Sequence, residues 1–168
     1  MTRITTCFWL GILLICSVNT VTGQDAKPEL ETRPEFKIEV LDDSFNELID
    51  SNTKIVVAAK GFTWSEGPVW NKVDKALRFS DVPNNKIHQI KERQLSVFMD
   101  PSGFEGESAE KEPGSNGLAY DANGNLIVCD HGNRRVYRQE QDGTKTTLAE
   151  KFEGKRFNSP NDLSLIHI

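Results

Sequence analysis

The sequence predicts an all-β fold of the repeat class, a β-propeller. A segment of about 50 residues occurs twice along the chain and begins a third time. Each of the two full copies also contains four short β-rich runs separated by turn residues. Repeats of this period, built from four short strands, are typical of propeller blades. We therefore expect about two blades and the start of a third.

The repeat is visible residue by residue. The sequence SEGPVWN at residues 65–71 recurs as SNGLAYD at residues 115–121, and a third copy opens with SPNDL at residues 159–163. In each full copy an apolar run then leads to an aspartate, Asp81 in the first and Asp130 in the second. The two full copies therefore align from the opening motif to this aspartate.

The strand candidates follow one another at short intervals. In the first unit they lie at residues 68–70, 76–80, 86–90 and 95–99, and in the second at 118–120, 125–129, 135–139 and 145–149. Turn-forming pairs separate several of them, at residues 84–85, 123–124 and 142–143. This pattern predicts two antiparallel sheets of four strands each.

The N-terminal part of the chain divides into two segments before the propeller begins at residue 53. Residues 1–23 carry one charge, a short apolar core and small residues before Gln24, which is typical of a secretory signal peptide. Residues 24–52 are polar and form an extension. Within it a capping box at Ser44 predicts a short helix whose residues Phe45, Leu48 and Ile49 pack against the domain. The protein is therefore expected to be exported, to the periplasm or beyond the cell.

Composition narrows the possible partners. The net charge is −5 and no basic patch is present, so nucleic acid is not an expected partner. No membrane association is expected once the signal is removed, and the oligomeric state is left open.

Cys129 would be the one cysteine of the cleaved chain, in an apolar strand, which favours a buried structural thiol over a reactive one.

Two further segments are assigned to the surface. Residues 101–113 are rich in glutamate and lack periodicity, which indicates a solvated loop. Arg134 and Arg135, in the turn after Asp130, are interpreted as ordinary surface charges.

The repeat also predicts a candidate metal site. The first strand of each blade lines the central channel of a propeller, so the equivalent residues Glu66, Asn116 and Asn161 should converge there. One carboxylate and two amide oxygens suit Ca²⁺ or Mg²⁺. Aromatic residues flank Glu66, and a carboxylate placed among them would need a cation or a metal; the alternative is a surface glutamate in a turn. The alternative is that the three side chains only hydrogen-bond the inner loops. His131 either lines the same pocket or is a plain loop histidine.

These motifs resemble those of a known family. GFTWSEGPVW at residues 61–70 is similar to the opening motif of gluconolactonase and senescence-marker-protein (regucalcin-like) propellers. SNGL at 115–118, CDHGNRRV at 129–136 and NSPND at 158–162 resemble later motifs of the bacterial gluconolactonase branch. The resemblance covers residues 61–163. It implies a six-bladed propeller with one catalytic divalent cation in the channel, usually Ca²⁺. By the same resemblance Glu66 and Asn161 are metal-site residues, with Asn161 facing metal or substrate, and Asn116 is a substrate-pocket residue.

The resemblance also exposes a difference. Family members continue for several more blades, which bring another Asn ligand and an Asp that serves as ligand and general base. We therefore expect an N-terminal fragment of a metal-dependent hydrolase that opens sugar-acid lactones, with residues 164–168 of doubtful origin. The fragment alone should be inactive, because the catalytic Asp is expected further along. The alternative function is a non-catalytic propeller that binds carbohydrate or protein around a structural cation.

Overall fold

The computed structural model describes residues 29–106 and 111–165. The predicted signal peptide and residues 107–110 and 166–168 lie outside the described part. Two four-stranded antiparallel sheets dominate the structure, and each is a simple meander in chain order. No helix in the described ranges is long and apolar enough to cross a membrane.

The first sheet is the first predicted blade. Its strands are β3 (Ser65–Asn71), β4 (Ala76–Asp81), β5 (Lys86–Lys91) and β6 (Gln94–Met99). The second sheet comprises β7 (Ser115–Tyr120), β8 (Leu126–Asp130), β9 (Arg135–Gln139) and β10 (Lys145–Ala149). All eight predicted strands are thus confirmed, and the predicted turns join them, with Asn85, Gly124 and Gly143 at positive φ.

The blades pack face to face through an apolar core. Its buried members are Ile87, Leu118, Leu126, Val128 and Tyr137, with Val69, Phe98, Met99 and Tyr120 packed around them. Because side chains alternate along a strand, each sheet gives one face to this core and turns the other away. The inner strands β3 and β7 are also in direct contact, as expected of neighbouring blades around one axis.

The segment before the first blade is attached loosely. β1 (Glu31–Thr32) pairs with β2 (Val56–Val57), and a 3-10 helix spans Asp43–Glu47 between them. The short helix is therefore present, but its N-cap is Asp42 rather than Ser44. The predicted packing of this helix is wrong, because Leu48 is 83% exposed and no residue of the helix is buried.

The loop after the first blade also differs from its prediction. Ser102 and Gly103 are buried, and their backbone N–H groups donate to the amide oxygen of Asn85 at 3.1 and 2.8 Å. Phe104 donates its N–H to the Pro113 carbonyl at 2.8 Å. The two ends of the loop are therefore part of the interblade packing, while Glu105 is exposed as expected.

The third unit begins with a small hairpin. β11 (Lys151–Phe152) pairs with β12 (Lys155–Arg156), and the chain then runs without regular structure past the inner strand of the second blade. This path brings the third copy of the repeated motif against the second.

Candidate functional site

A bulge interrupts both inner strands at the same place in the repeat. In β3 the register shifts between Glu66 and Val69, and in β7 between Ser115 and Leu118. Bulges re-aim the side chains beside them and are over-represented next to active sites. Glu66 and Asn116, which the sequence aligns, therefore occupy the same distorted position in neighbouring blades.

Glycine at the bulge lets the three motif copies touch. A Cβ on Gly67, whose φ is +54°, would lie 2.4 Å from the Asn116 carbonyl oxygen. A Cβ on Gly117 would lie 2.7 Å from Oδ1 of Asp162 and 2.9 Å from the Asn161 carbonyl oxygen. Neither approach is possible for a larger residue without displacing backbone. The predicted convergence of the three motif copies is thus a property of the backbone.

The two asparagines of the predicted site are joined directly. Nδ2 of Asn116 donates a hydrogen bond to Oδ1 of Asn161 at 2.7 Å, and the Gly117 N–H donates to the Asn161 carbonyl at 2.8 Å. Asn116 is 6% exposed, whereas Asn161 is exposed. One N–H of Asn116 Nδ2 is engaged in this bond, so Oδ1 and the second N–H are the groups left to face a ligand.

Glu66 lies on the neighbouring strand and is exposed. Its carboxylate has no hydrogen bond or ion pair to another of the described residues. The aromatic residues near it are also exposed, Trp64 by 48% and Trp70 by 54%. These two tryptophans therefore do not enclose the Glu66 carboxylate. Glu66 instead borders an open hollow of about 290 Å³, which Phe62, Pro68 and Phe79 also line.

The oxygen atoms of Glu66, Asn116 and Asn161 are chemically suited to bind a hard divalent cation. Within residues 29–106 and 111–165, no cluster of three or more His, Cys, Asp or Glu could hold a metal ion. A site here would rest on one free carboxylate and on amide oxygens, which are the donor types that Ca²⁺ accepts. The unpaired state of Glu66 is consistent with such a role.

A line of hydroxyl groups holds the blades together beside these residues. Ser80 Oγ donates to the Asn116 carbonyl at 2.7 Å and lies 2.8 Å from Ser115 Oγ. The Ser115 N–H donates to Ser102 Oγ at 2.9 Å, and the Tyr137 hydroxyl donates to the Ser102 carbonyl at 3.2 Å. All five residues are buried. Sequence reasoning missed this network, although Ser115 stands beside Asn116 in the repeated motif.

The repeated aspartates are structural. Asp81 and Asp130 are 1% and 0% exposed. Asp81 accepts hydrogen bonds from the Thr63 and Trp64 N–H groups and from Nδ2 of Asn84, the last at 2.8 Å. Buried carboxylates that are satisfied in this way stabilise the surrounding turns.

Asp130 shows the same behaviour with different partners. It accepts from the N–H and Nδ2 of Asn133 and from Nε of Arg135, the last at 3.0 Å. The interpretation of Arg135 as an ordinary surface charge is therefore wrong, because it neutralises a fully buried carboxylate.

His131 lies at the same end of the blade as Asn116, in the turn after β8. Its Nε2 is 2.8 Å from Oε2 of Glu112, and its side chain is 17% exposed. Nδ1 of His131 is buried and has no hydrogen-bond partner among the described residues. The pairing with Glu112 could not be read from the sequence, because Glu112 belongs to a loop without a pattern.

Cys129 confirms the prediction of a buried thiol. It is 0% exposed. Burial raises its pKa from 9.0 to about 12, and the nearby Asp162 carboxylate adds to the effect. The thiol therefore stays protonated and does not act as a nucleophile at neutral pH.

Comparisons with known proteins agree with this arrangement. Residues 64–167 match the family described as the SMP-30/gluconolactonase/LRE-like region. A gluconolactonase of Zymomonas mobilis subsp. mobilis is 34% identical over 159 residues, which is 90% of this chain and 45% of that protein. The chain thus spans less than half the length of that curated relative.

Solved structures are similar in fold. A gluconolactonase from Xanthomonas campestris, described as important in glucose secondary metabolic pathways, superposes with a TM-score of 0.66 at 25% identity. The overlap covers 82% of this chain and 43% of that one. An X-ray structure described as a candidate gluconolactonase is 42% identical, with a TM-score of 0.55 over 64% of this chain and 34% of its own.

Proposed function

Because the chain belongs to the SMP-30/gluconolactonase/LRE-like family, we propose that this protein is a lactonase that hydrolyses lactones of sugar acids. The observation that carries the proposal is the contact between Asn116 and Asn161 at the inner-strand bulges. It places polar side chains from successive blades side by side, where a small ester could be bound. The relatives named gluconolactonase supply the substrate class.

The proposed cofactor is one divalent cation, and Ca²⁺ is the ion we favour. Glu66 and Asn161 would hold it through oxygen atoms, and the charge of Glu66 would set much of the affinity. When bound, such a cation polarises an ester carbonyl and stabilises the oxyanion that forms on it.

The residues of this chain have distinct parts in the proposal. Asn116 would bind substrate hydroxyls, since its amide is fixed in orientation by Asn161 and by burial. His131, held by Glu112, would contribute a further hydrogen-bonding group at the rim. In a steady-state assay, alanine at Asn116 or His131 should raise KM for the lactone more than it lowers kcat. An unchanged KM would remove that residue from the pocket.

Activation of water needs a general base, and we propose that this base is a carboxylate outside these 168 residues. Asp81 and Asp130 are buried and fully engaged, which supports this view. The 168-residue chain by itself would then be inactive on lactones.

The test is a pH-stat assay of gluconolactone opening, run on the 168-residue chain and on a chain as long as the relatives. The longer chain should show saturable hydrolysis that EDTA abolishes and added Ca²⁺ restores, and the short chain only the spontaneous rate. Saturable, Ca²⁺-dependent turnover by a monomeric 168-residue chain would contradict the proposal that the general base lies outside these residues. If the longer chain bound Ca²⁺ but did not hydrolyse the lactone, the lactonase proposal would be contradicted. A non-catalytic binding module would then be favoured.

A further inference from the structure

A second cleft opens between the blades at the end opposite Glu66. It has a volume of about 500 Å³, within the range of small-molecule sites. The turn after β3, the turn after β7 and the turn after β9 surround its mouth, and the interblade faces of the two sheets form its walls. Its lining includes Asp74, Arg78, Phe98, Tyr120, Gln139 and Glu140.

Arg78 forms one wall of this cleft and is only 7% exposed. Its guanidinium carbon lies 3.6 Å from the centroid of the Phe98 ring, and Nη2 is 2.5 Å from Oδ2 of Asp74. Nη1 donates to the Tyr120 hydroxyl. The neighbours of the guanidinium therefore fix its position and neutralise its charge. It lines the cleft but is not free to bind an anion.

Two hydrogen-bonding groups in the cleft are left unused. Oε1 of Gln139 is buried and has no partner within the described ranges. The Tyr120 oxygen accepts from Arg78, which leaves its own proton to be donated. A buried polar atom without a partner is costly, so such groups usually meet water or a ligand.

The charges around the cleft restrict what can bind. The lining holds one cation, Arg78, and two carboxylates, Asp74 and Glu140. Asp74 is paired with Arg78, and Glu140 with Arg138 at 2.8 Å. The lining offers no unpaired positive charge to an anion. A neutral ligand that both donates and accepts hydrogen bonds matches the free oxygen of Gln139 and the free proton of Tyr120.

We propose that this cleft binds a neutral polyhydroxylated molecule of the sugar class. One hydroxyl donates to Oε1 of Gln139, another accepts from Tyr120, and the Tyr120 ring offers apolar surface to the C–H face of the sugar ring. The site is separate from the proposed lactone pocket and does not depend on it. Both blades that form it lie within residues 65–149, so additional blades are not needed to build it.

The experiment titrates the longer chain with D-glucose by calorimetry. We expect saturable binding, weakened about five- to ten-fold in Tyr120→Phe and in Gln139→Leu, because each change removes one neutral hydrogen bond. Gln94→Leu is the matched control on the exposed edge of the first blade and should bind as the wild type does. Gluconate, which is negatively charged, should bind more weakly than glucose. Equal thermal unfolding midpoints of Tyr120→Phe and the wild type would show that folding is intact.

Three outcomes would overturn the proposal. The first is an absence of saturable heat with the folded wild type, which would mean that water alone occupies the cleft. The second is equal glucose affinity in the wild type, Tyr120→Phe and Gln139→Leu. The third is loss of glucose binding in Glu66→Gln, which would place the sugar in the central channel. Lactone turnover is measured separately, so failure here leaves the lactonase proposal untouched.

Discussion

Cys129 illustrates how position in a sheet decides the chemistry of one residue. The thiol lies on β8 at full burial, and removal of water around it disfavours the thiolate. With a pKa of about 12, the thiolate fraction at pH 8 is on the order of 10⁻⁴. A cysteine of ordinary exposure would be ionised to a much larger extent at that pH.

The folded protein should therefore resist thiol reagents. The test uses a longer chain that begins at Gln24 and in which Cys129 is the one cysteine. Ellman's reagent at pH 8 should label Cys129 only after guanidinium chloride has denatured this protein. Ala122→Cys, in an exposed turn, is the control and should add one thiol that reacts at once. Fast labelling of native Cys129 would show that the strand opens or that the thiol is exposed.

At the scale of single residues, the sequence predicts side-chain contacts only at positions that the repeat copies align. It predicts none of the contacts made by loop residues. Alignment of the copies predicted that Asn116 and Asn161 meet, because equivalent inner-strand positions converge in a propeller. It could not predict the engagement of Arg135 with Asp130 or of Glu112 with His131. These pairs depend on how loops fold back, and loop sequences carry no periodic signal.

Among the elements, the inner strands carry the strongest constraint. Gly67 and Gly117 allow β3, β7 and the third motif copy to approach within van der Waals distance. Gly67 also has a positive φ, which residues with a Cβ rarely adopt. The bulge and the glycine together fix how closely the blades approach the axis.

Alanine substitutions separate the two effects of glycine. Gly124→Ala, at positive φ in an open turn, should cost about 1 kcal/mol of stability. Gly67→Ala should cost about 2–4 kcal/mol, because the same strain is joined by a clash with the Asn116 carbonyl. Urea unfolding of the longer chain measures both changes. Equal losses at the two positions would mean that the inner strands are not in tight contact.

The strands of the two blades were predictable, but the two-residue strands outside them and the packing of the short helix were not. The eight blade strands combine β-rich runs with turn pairs such as Asn123-Gly124, and each signal reinforces the other. The short helix at Asp43–Glu47 had a correct local signal and a wrong tertiary expectation. Its apolar residues remain exposed, because helical spacing shows which side chains share a face and not what covers that face.

On the scale of the whole molecule, the first blade leaves an apolar surface uncovered. Leu95 and Val97 on its outer strand are 44% and 49% exposed, and the chain spans 45% of the Zymomonas relative. Propellers cover such surfaces by packing blades against each other around the ring. We therefore expect the two-blade chain to self-associate when it is produced alone.

Export is a further prediction at this scale. The apolar core within residues 8–15 and the small residues before Gln24 predict cleavage of a signal peptide. N-terminal sequencing of material recovered outside the cytoplasm should begin near Gln24. An intact Met1 on the bulk of the protein, all of it within the cytoplasm, would contradict export.

The measurement that tests the central proposal most directly is a Ca²⁺ titration of Glu66→Gln in the longer chain, followed by calorimetry and by lactone hydrolysis in parallel. Loss of the ligand charge should weaken Ca²⁺ binding about ten-fold or more, and activity at a fixed low Ca²⁺ concentration should fall with it. Glu47→Gln, on the exposed 3-10 helix, should change neither quantity. A Ca²⁺ affinity and a lactonase rate that both equal those of the wild type would contradict a metal site built on Glu66.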